Sequence, residues 1–153
     1  MKTSRSRLFK HAFGFLAAAG MLLLPASSAF AGGATQSELT ATSGQGVGRA
    51  IVSPTAQDQG TFAAEITVNI HAAAPNTTFS VWRAPDLVPD GICTGPLLPF
   101  GESFTTSAGG AGATHFLFEK SSLVSGAKFD TAFRVIGSDG TVLQGECMTV
   151  TVK

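Results

Sequence analysis

The sequence predicts an all-β protein: an antiparallel β-sandwich of about seven or eight short strands, closed by one disulfide. Three observations carry the prediction. Apolar residues recur at every second position in several segments, turn-forming clusters of Gly, Pro, Asn and Asp separate those segments at short intervals, and only two cysteines are present.

The N-terminal thirty-one residues stand apart from this pattern. Lys2, Arg5, Arg7 and Lys10 form a basic start, residues 12–24 carry no charge, Pro25 breaks the run, and Ala29-Phe30-Ala31 offers the small residues that signal peptidase accepts. An apolar run of this length is shorter than the ~20 residues a membrane span takes. Residues 1–31 are therefore expected to be a cleavable secretory signal, cut after Ala31. Ser6 separates the two arginines, which favours the general secretory route over the twin-arginine one. The protein is expected to be secreted: extracellular, or periplasmic in a host with an outer membrane. Without the signal, six lysines and arginines face ten carboxylates, a net charge of −4. Nucleic acid and anionic membrane both select for clustered Lys and Arg, so neither is an expected partner.

Residues 32–37 read as a flexible N-terminus, and 38–153 as a single domain. Within it, 38–42 is a weak strand candidate and 47–53 a stronger one, followed by a turn-rich 54–60. Residues 61–71 alternate strictly, with Phe62, Ala64, Ile66, Val68 and Ile70 on one face and Ala63, Glu65, Thr67, Asn69 and His71 on the other. Such a period of two belongs to a half-buried antiparallel strand. Residues 77–84 form the next strand, with Phe79 and Val81 facing away from Trp82. Residues 84–100 hold Pro85, Pro89, Pro96 and Pro99 and read as a long irregular connection. Another weak strand at 102–107 leads into the Gly-rich 107–112, expected to be a flexible loop. Strands follow at 113–120, where Phe116 and Phe118 face together, and at 129–136, where Phe129, Thr131, Phe133 and Val135 share a face. Asp139-Gly140 predicts a tight hairpin turn with positive φ at both central positions. The last strand runs over 142–152.

Pro75, Thr77, Phe79, Val81 and Ala84 resemble the P-x-T-x-Y-x-V-x-x-A stretch of fibronectin type III and related immunoglobulin-like domains, with Phe79 standing where that pattern has tyrosine. The resemblance covers ten residues and implies a sandwich that is immunoglobulin- or fibronectin-like in general architecture.

Cys93 and Cys147 are expected to pair, because an exported chain meets oxidising conditions and neither cysteine has the basic or ligand-rich neighbours of a reactive thiol or zinc site. Chemistry beyond that is sparse. His71 and His115 are the only histidines after the signal, there is no tyrosine, and neither G-x-S-x-G nor H-E-x-x-H occurs. No catalytic residue, metal ligand set or cofactor is assigned. The two histidines would form a weak metal pair only on neighbouring strands. An enzyme would have to work with carboxylates, for instance Glu65 and Glu119. Asp86 and Asp90 are candidates for calcium together with loop carbonyls. Asn76-Thr77-Thr78 is a formal glycosylation sequon. Trp82 reads either as core packing or, with Arg83, as part of an exposed patch.

The candidate binding surface is the proline-rich segment and its entry: Trp82, Arg83, Asp86, Leu87, Val88, Asp90, Leu97 and Leu98. Three function classes follow. A non-catalytic binding or structural module with an extracellular protein or surface partner leads, because it needs only the scaffold and the loop. A carboxylate enzyme and a secreted inhibitor or toxin presenting 84–100 are the alternatives.

Overall fold

The computed structural model describes residues 33–55 and 61–153. The expected signal and its cleavage point, and residues 56–60 of the 54–60 turn, lie outside them. The described residues form ten strands and no helix: β1 (Thr35–Ser43), β2 (Val47–Thr55), β3 (Thr61–His71), β4 (Thr78–Asp86), β5 (Leu98–Pro99), β6 (Phe104–Thr105), β7 (Gly112–Ser121), β8 (Lys128–Gly137), β9 (Val142–Gly145) and β10 (Met148–Thr151). Every pairing is antiparallel.

The strands join in one hydrogen-bonded path, β5-β4-β8-β9-β1-β2-β3-β7, with β10 added to β8 and β6 to β4. The path curls into a half-barrel. Phe62 on β3 and Phe129 on β8 have ring centroids 5.3 Å apart although β9, β1 and β2 lie between their strands in the sheet. Near the two ends of the path, the Arg83 guanidinium of β4 sits 4.2 Å from the centre of the Phe118 ring of β7. Curling follows from the alternation itself. One face of nearly every strand is apolar, and a single sheet can bury that face only against itself.

The strand β3 is central to this. Phe62, Ala64, Ile66, Val68 and Ile70 are all buried while Glu65 is exposed, and each large apolar side chain contributes about 1.5–3 kcal/mol on full burial. They meet Leu39, Val52, Phe79, Phe133, Val135, Leu143 and Val150 in one core.

The strands differ from the sequence reading at several ends, each for a local reason. β1 begins at Thr35 rather than Glu38, with Ser37 buried. β2 runs through Pro54, opposite Ala64; at that end β1 pairs no further than Val52, so Pro54 lacks a ladder neighbour on the β1 side. β4 continues to Asp86, and Leu98–Pro99 returns to pair with Trp82 and Arg83, so 84–100 is structured at both ends. The Val81 carbonyl accepts from Phe100 N at 2.8 Å, on the β5 side. By the period of two, Pro85 turns its missing N–H the same way, off the β8 ladder.

The β8–β9 turn is a correction. Gly140 has φ +88°, whereas Asp139 does not have positive φ. Gly140 N donates to Gly137 O and Gly137 N to Thr141 O, giving a three-residue loop with glycine in the left-handed position. The last strand is also broken. β9 and β10 both pair with β8, but the register shifts by one residue between Gln144 and Met148, a bulge that contains Cys147.

Residues 107–112 are an ordered turn rather than a loose loop. Ser107 N donates to Ala111 O and Ala73 N to Gly110 O. Gly110 has φ +73°, and a Cβ there would fall 2.2 Å from Ala73 O, so the turn docks where only glycine fits.

Candidate functional site

The proline-rich segment leaves β4 at Asp86 and folds back over the outer face of β8 and β10, where four ties hold it. Cys93 and Cys147 form a disulfide with Cα atoms 5.5 Å apart; the bulge between β9 and β10 brings Cys147 out to meet it. Asp86 Oδ1 accepts from Val88 N at 3.0 Å, and Oδ2 accepts from Thr94 N at 3.0 Å and Thr94 Oγ1 at 2.6 Å. These bonds, the Thr94 hydroxyl first, hold the Asp86 carboxyl below the usual carboxylate range. Asp130, on the outward side of β8, is fully buried under the loop; its Oδ2 accepts from Gly91 N and its Oδ1 from Thr149 Oγ1, both at 2.6 Å. Gly95 packs so closely that a Cβ would lie 1.7 Å from Pro85 O.

What the ties present outward is apolar. Leu87 is 73% exposed, Val88 59% and Ile92 61%, with Leu97 and Leu98 also exposed. Of the candidate surface, Leu87, Val88, Leu97 and Leu98 lie together on this segment. Asp86 and Asp90 are used internally, Asp90 Oδ1 accepting from Ile92 N at 2.9 Å. Ile92 was missed by sequence reasoning, though its apolar character between Gly91 and Cys93 was readable.

Trp82 and Arg83 diverge. Trp82 is half-buried on the outer face, its Nε1 donating to Ser80 Oγ at 2.9 Å. Arg83 turns to the seam of the half-barrel, its guanidinium 4.4 Å from the Phe100 ring centre and 4.2 Å from that of Phe118. Burial pushes its pKa down from the ordinary value, and its Nε is buried with no hydrogen-bond partner among the described residues. Beside it lies a groove of about 230 Å³ lined by Phe118, Leu123, Phe129 and Leu98, with Lys120 on the same wall. Nothing in the sequence pattern marks Lys120 and Leu123 as neighbours of Arg83, because they converge only when the sheet curls.

A second concavity, about 800 Å³ and open, lies between the loop and the outer face of β1 and β9 and is lined by Gln36, Thr40, Gln144, Glu146, Ile92 and Cys93, among others. Neither depression collects the other chemical candidates. His71 and His115 do lie on neighbouring strands, but His115 is opposite Thr67, four residues from His71 and so about 13 Å along the strand; its Nδ1 is 2.9 Å from Thr67 Oγ1. Glu65 faces Leu117 and Glu119 faces Ala63, which makes the two carboxylates diagonal neighbours, both exposed on the outer face. Among the described residues, no group of three or more His, Cys, Asp or Glu side chains is placed to hold a metal ion, and no helix is long and apolar enough to cross a membrane.

Comparison with protein-family models gives no match, and comparison with curated proteins gives none either.

Proposed function

We propose that the protein is a secreted, non-catalytic binding module that meets an extracellular protein or surface through residues 84–100. The observation that carries this reading is the pairing of exposed Leu87, Val88 and Ile92 with a loop tied at Asp86, Gly91 and Cys93. Apolar side chains held out on an ordered segment mark a contact surface, and ordering the loop beforehand lowers the entropy lost on binding. Secretion is supported by the signal-like N-terminus and by the disulfide, which persists in oxidising compartments. We further read the scaffold as sandwich-like, since the β3 wall faces the β8 wall across the Phe62–Phe129 contact.

Combined replacement of Leu87, Val88, Leu97 and Leu98 by Ala tests the role of the loop. The expected outcome is loss of binding to surface and extracellular material of the producing organism, with stability unchanged within about 0.5 kcal/mol, as for exposed positions. Binding that survives the replacement, or a variant that aggregates while still binding, overturns the reading in favour of a loop that only shields the sheet.

A further inference from the structure

We propose that the groove at the seam of the half-barrel binds a small amphipathic carboxylate, with its apolar chain among Phe118, Leu123 and Phe129 and its head group on Arg83 and Lys120. The inference goes beyond the loop's proposed role and does not rest on it; Leu87 and Leu98 are shared, but the groove is carried by Arg83.

Arg83 is where the packing leaves a charge incompletely answered. Its guanidinium lies against two aromatic faces, which recovers part of the cost of taking it out of water. No ion pair or hydrogen bond satisfies it among the described residues, and Nε is buried without a partner. A planar head with two acceptor oxygens matches a guanidinium in the way a water molecule does not. Among the described residues no carboxylate lines the groove, whereas Lys120 adds a second cation. The chain from residue 32 onward is acidic, its net charge of −4 already including these two cations, so the pair is not part of a general basic surface.

Size and wall chemistry narrow the class. The cavity, about 230 Å³, has room for roughly eight water volumes, and so for a chain of about that many non-hydrogen atoms rather than a drug-sized molecule. Apart from the two cations its lining is carbon: Phe118, Leu123, Phe129, Leu98, Leu87 and Pro85. A bare inorganic anion would leave those walls unused, and a neutral hydrocarbon would leave the Arg83 guanidinium without a charge partner.

Octanoate is the probe, with octan-1-ol and octylammonium as comparators of equal chain length, each titrated into the oxidised protein and followed by the methyl resonances of Leu123 and Leu98. The expected result is a saturable shift for octanoate, weaker binding of octanol by about tenfold, the difference one charged hydrogen-bonding contact makes, and no binding of octylammonium. Arg83→Met is expected to bring octanoate down to the level of octanol. Should Arg83→Met fail to fold, Leu123→Trp fills the groove with Arg83 intact and is expected to abolish octanoate shifts. Equal binding of the three probes, absence of a saturable octanoate shift, octanoate that still binds Arg83→Met more tightly than octanol does, or octanoate binding that survives Leu123→Trp overturns the proposal.

Discussion

Asp86 gathers three donors, the Val88 and Thr94 amides and the Thr94 hydroxyl, onto one carboxylate at the point where β4 ends. Every one of those bonds favours the charged form, so its pKa lies below the ordinary value of 3.8. A carboxyl depressed in the folded state adds stability that is fully present above the unfolded pKa and is lost as pH falls through the folded one. The loop tie is therefore expected to hold throughout the mildly acidic range and to release only below pH 3.8. A carboxyl-detected NMR titration should show Asp86 inflecting below that value, with the Thr94 amide moving in step; inflection at or above it would contradict the assignment. Asp139, held by the Thr141 amide and hydroxyl, is lowered in the same direction and should behave likewise. Asp86 was legible in the sequence as a residue of consequence, but the spacing of Asp86 and Asp90 suggested calcium. What that spacing does not convey is that Thr94, eight residues on, turns back to occupy the same carboxylate.

Elements were legible wherever one strand's own alternation decided the matter, as in β3 and β8, whose inward residues are those the sequence places together. Breaks in phase were not. On each side of Glu146 and Cys147 the alternation is regular, and only the pairing with β8 shows that one extra residue separates the halves. That residue matters because the bulge lets Cys147 reach out to Cys93 while Leu143, Met148 and Val150 all stay buried. The bridge spans a sequence separation of 54 residues, for which the chain-entropy model gives about 4 kcal/mol. Replacing both cysteines by Ser is expected to lower the unfolding free energy by about that amount. Amides of β2 and β3, which exchange through global unfolding, should quicken in step with that loss, and those over 87–97 should quicken more, because only hydrogen bonds to Asp86 and Asp130 then hold the loop. Exchange over 87–97 that quickens no more than that of β2 and β3 would show instead that the bridge acts on the whole fold and adds nothing local to the loop.

At the scale of the whole molecule, the sequence says which face of each strand is buried but not which strands meet. β1 pairs with β9 across roughly two-thirds of the chain, and no periodicity encodes that partner. Seven or eight alternating strands are equally compatible with two stacked sheets and with one sheet curled on itself, so the curl emerges only from the pairing path. Its consequence is a seam between β4 and β7, near the two ends of the path, which no backbone ladder joins. Phe100 closes that seam. It is buried, and its ring lies 5.0 Å from Phe116 and Phe118, 5.8 Å from Phe133 and 4.4 Å from the Arg83 guanidinium. Its backbone N–H bonds to Val81 O, so the side chain can be removed without cutting the ladder. Phe100→Ala should cost about 3–5 kcal/mol, the range for deleting a buried aromatic ring. The location of the damage is more diagnostic than its size. With the ring gone, β7 keeps its ladder to β3 and its contact with Arg83 but loses the packing of Phe116 and Phe118 on Phe100, so β7 and β5 should exchange amides faster and a hydrophobic dye should bind the native state. Ile66→Ala, made in the middle of β3, is expected to cost 2–5 kcal/mol without dye binding, because its cavity is enclosed by strands that stay paired. A Phe100→Ala protein that loses less than about 1 kcal/mol, or that binds no more dye than Ile66→Ala, would mean that the curl is set by strand twist alone and that the seam needs no aromatic closure.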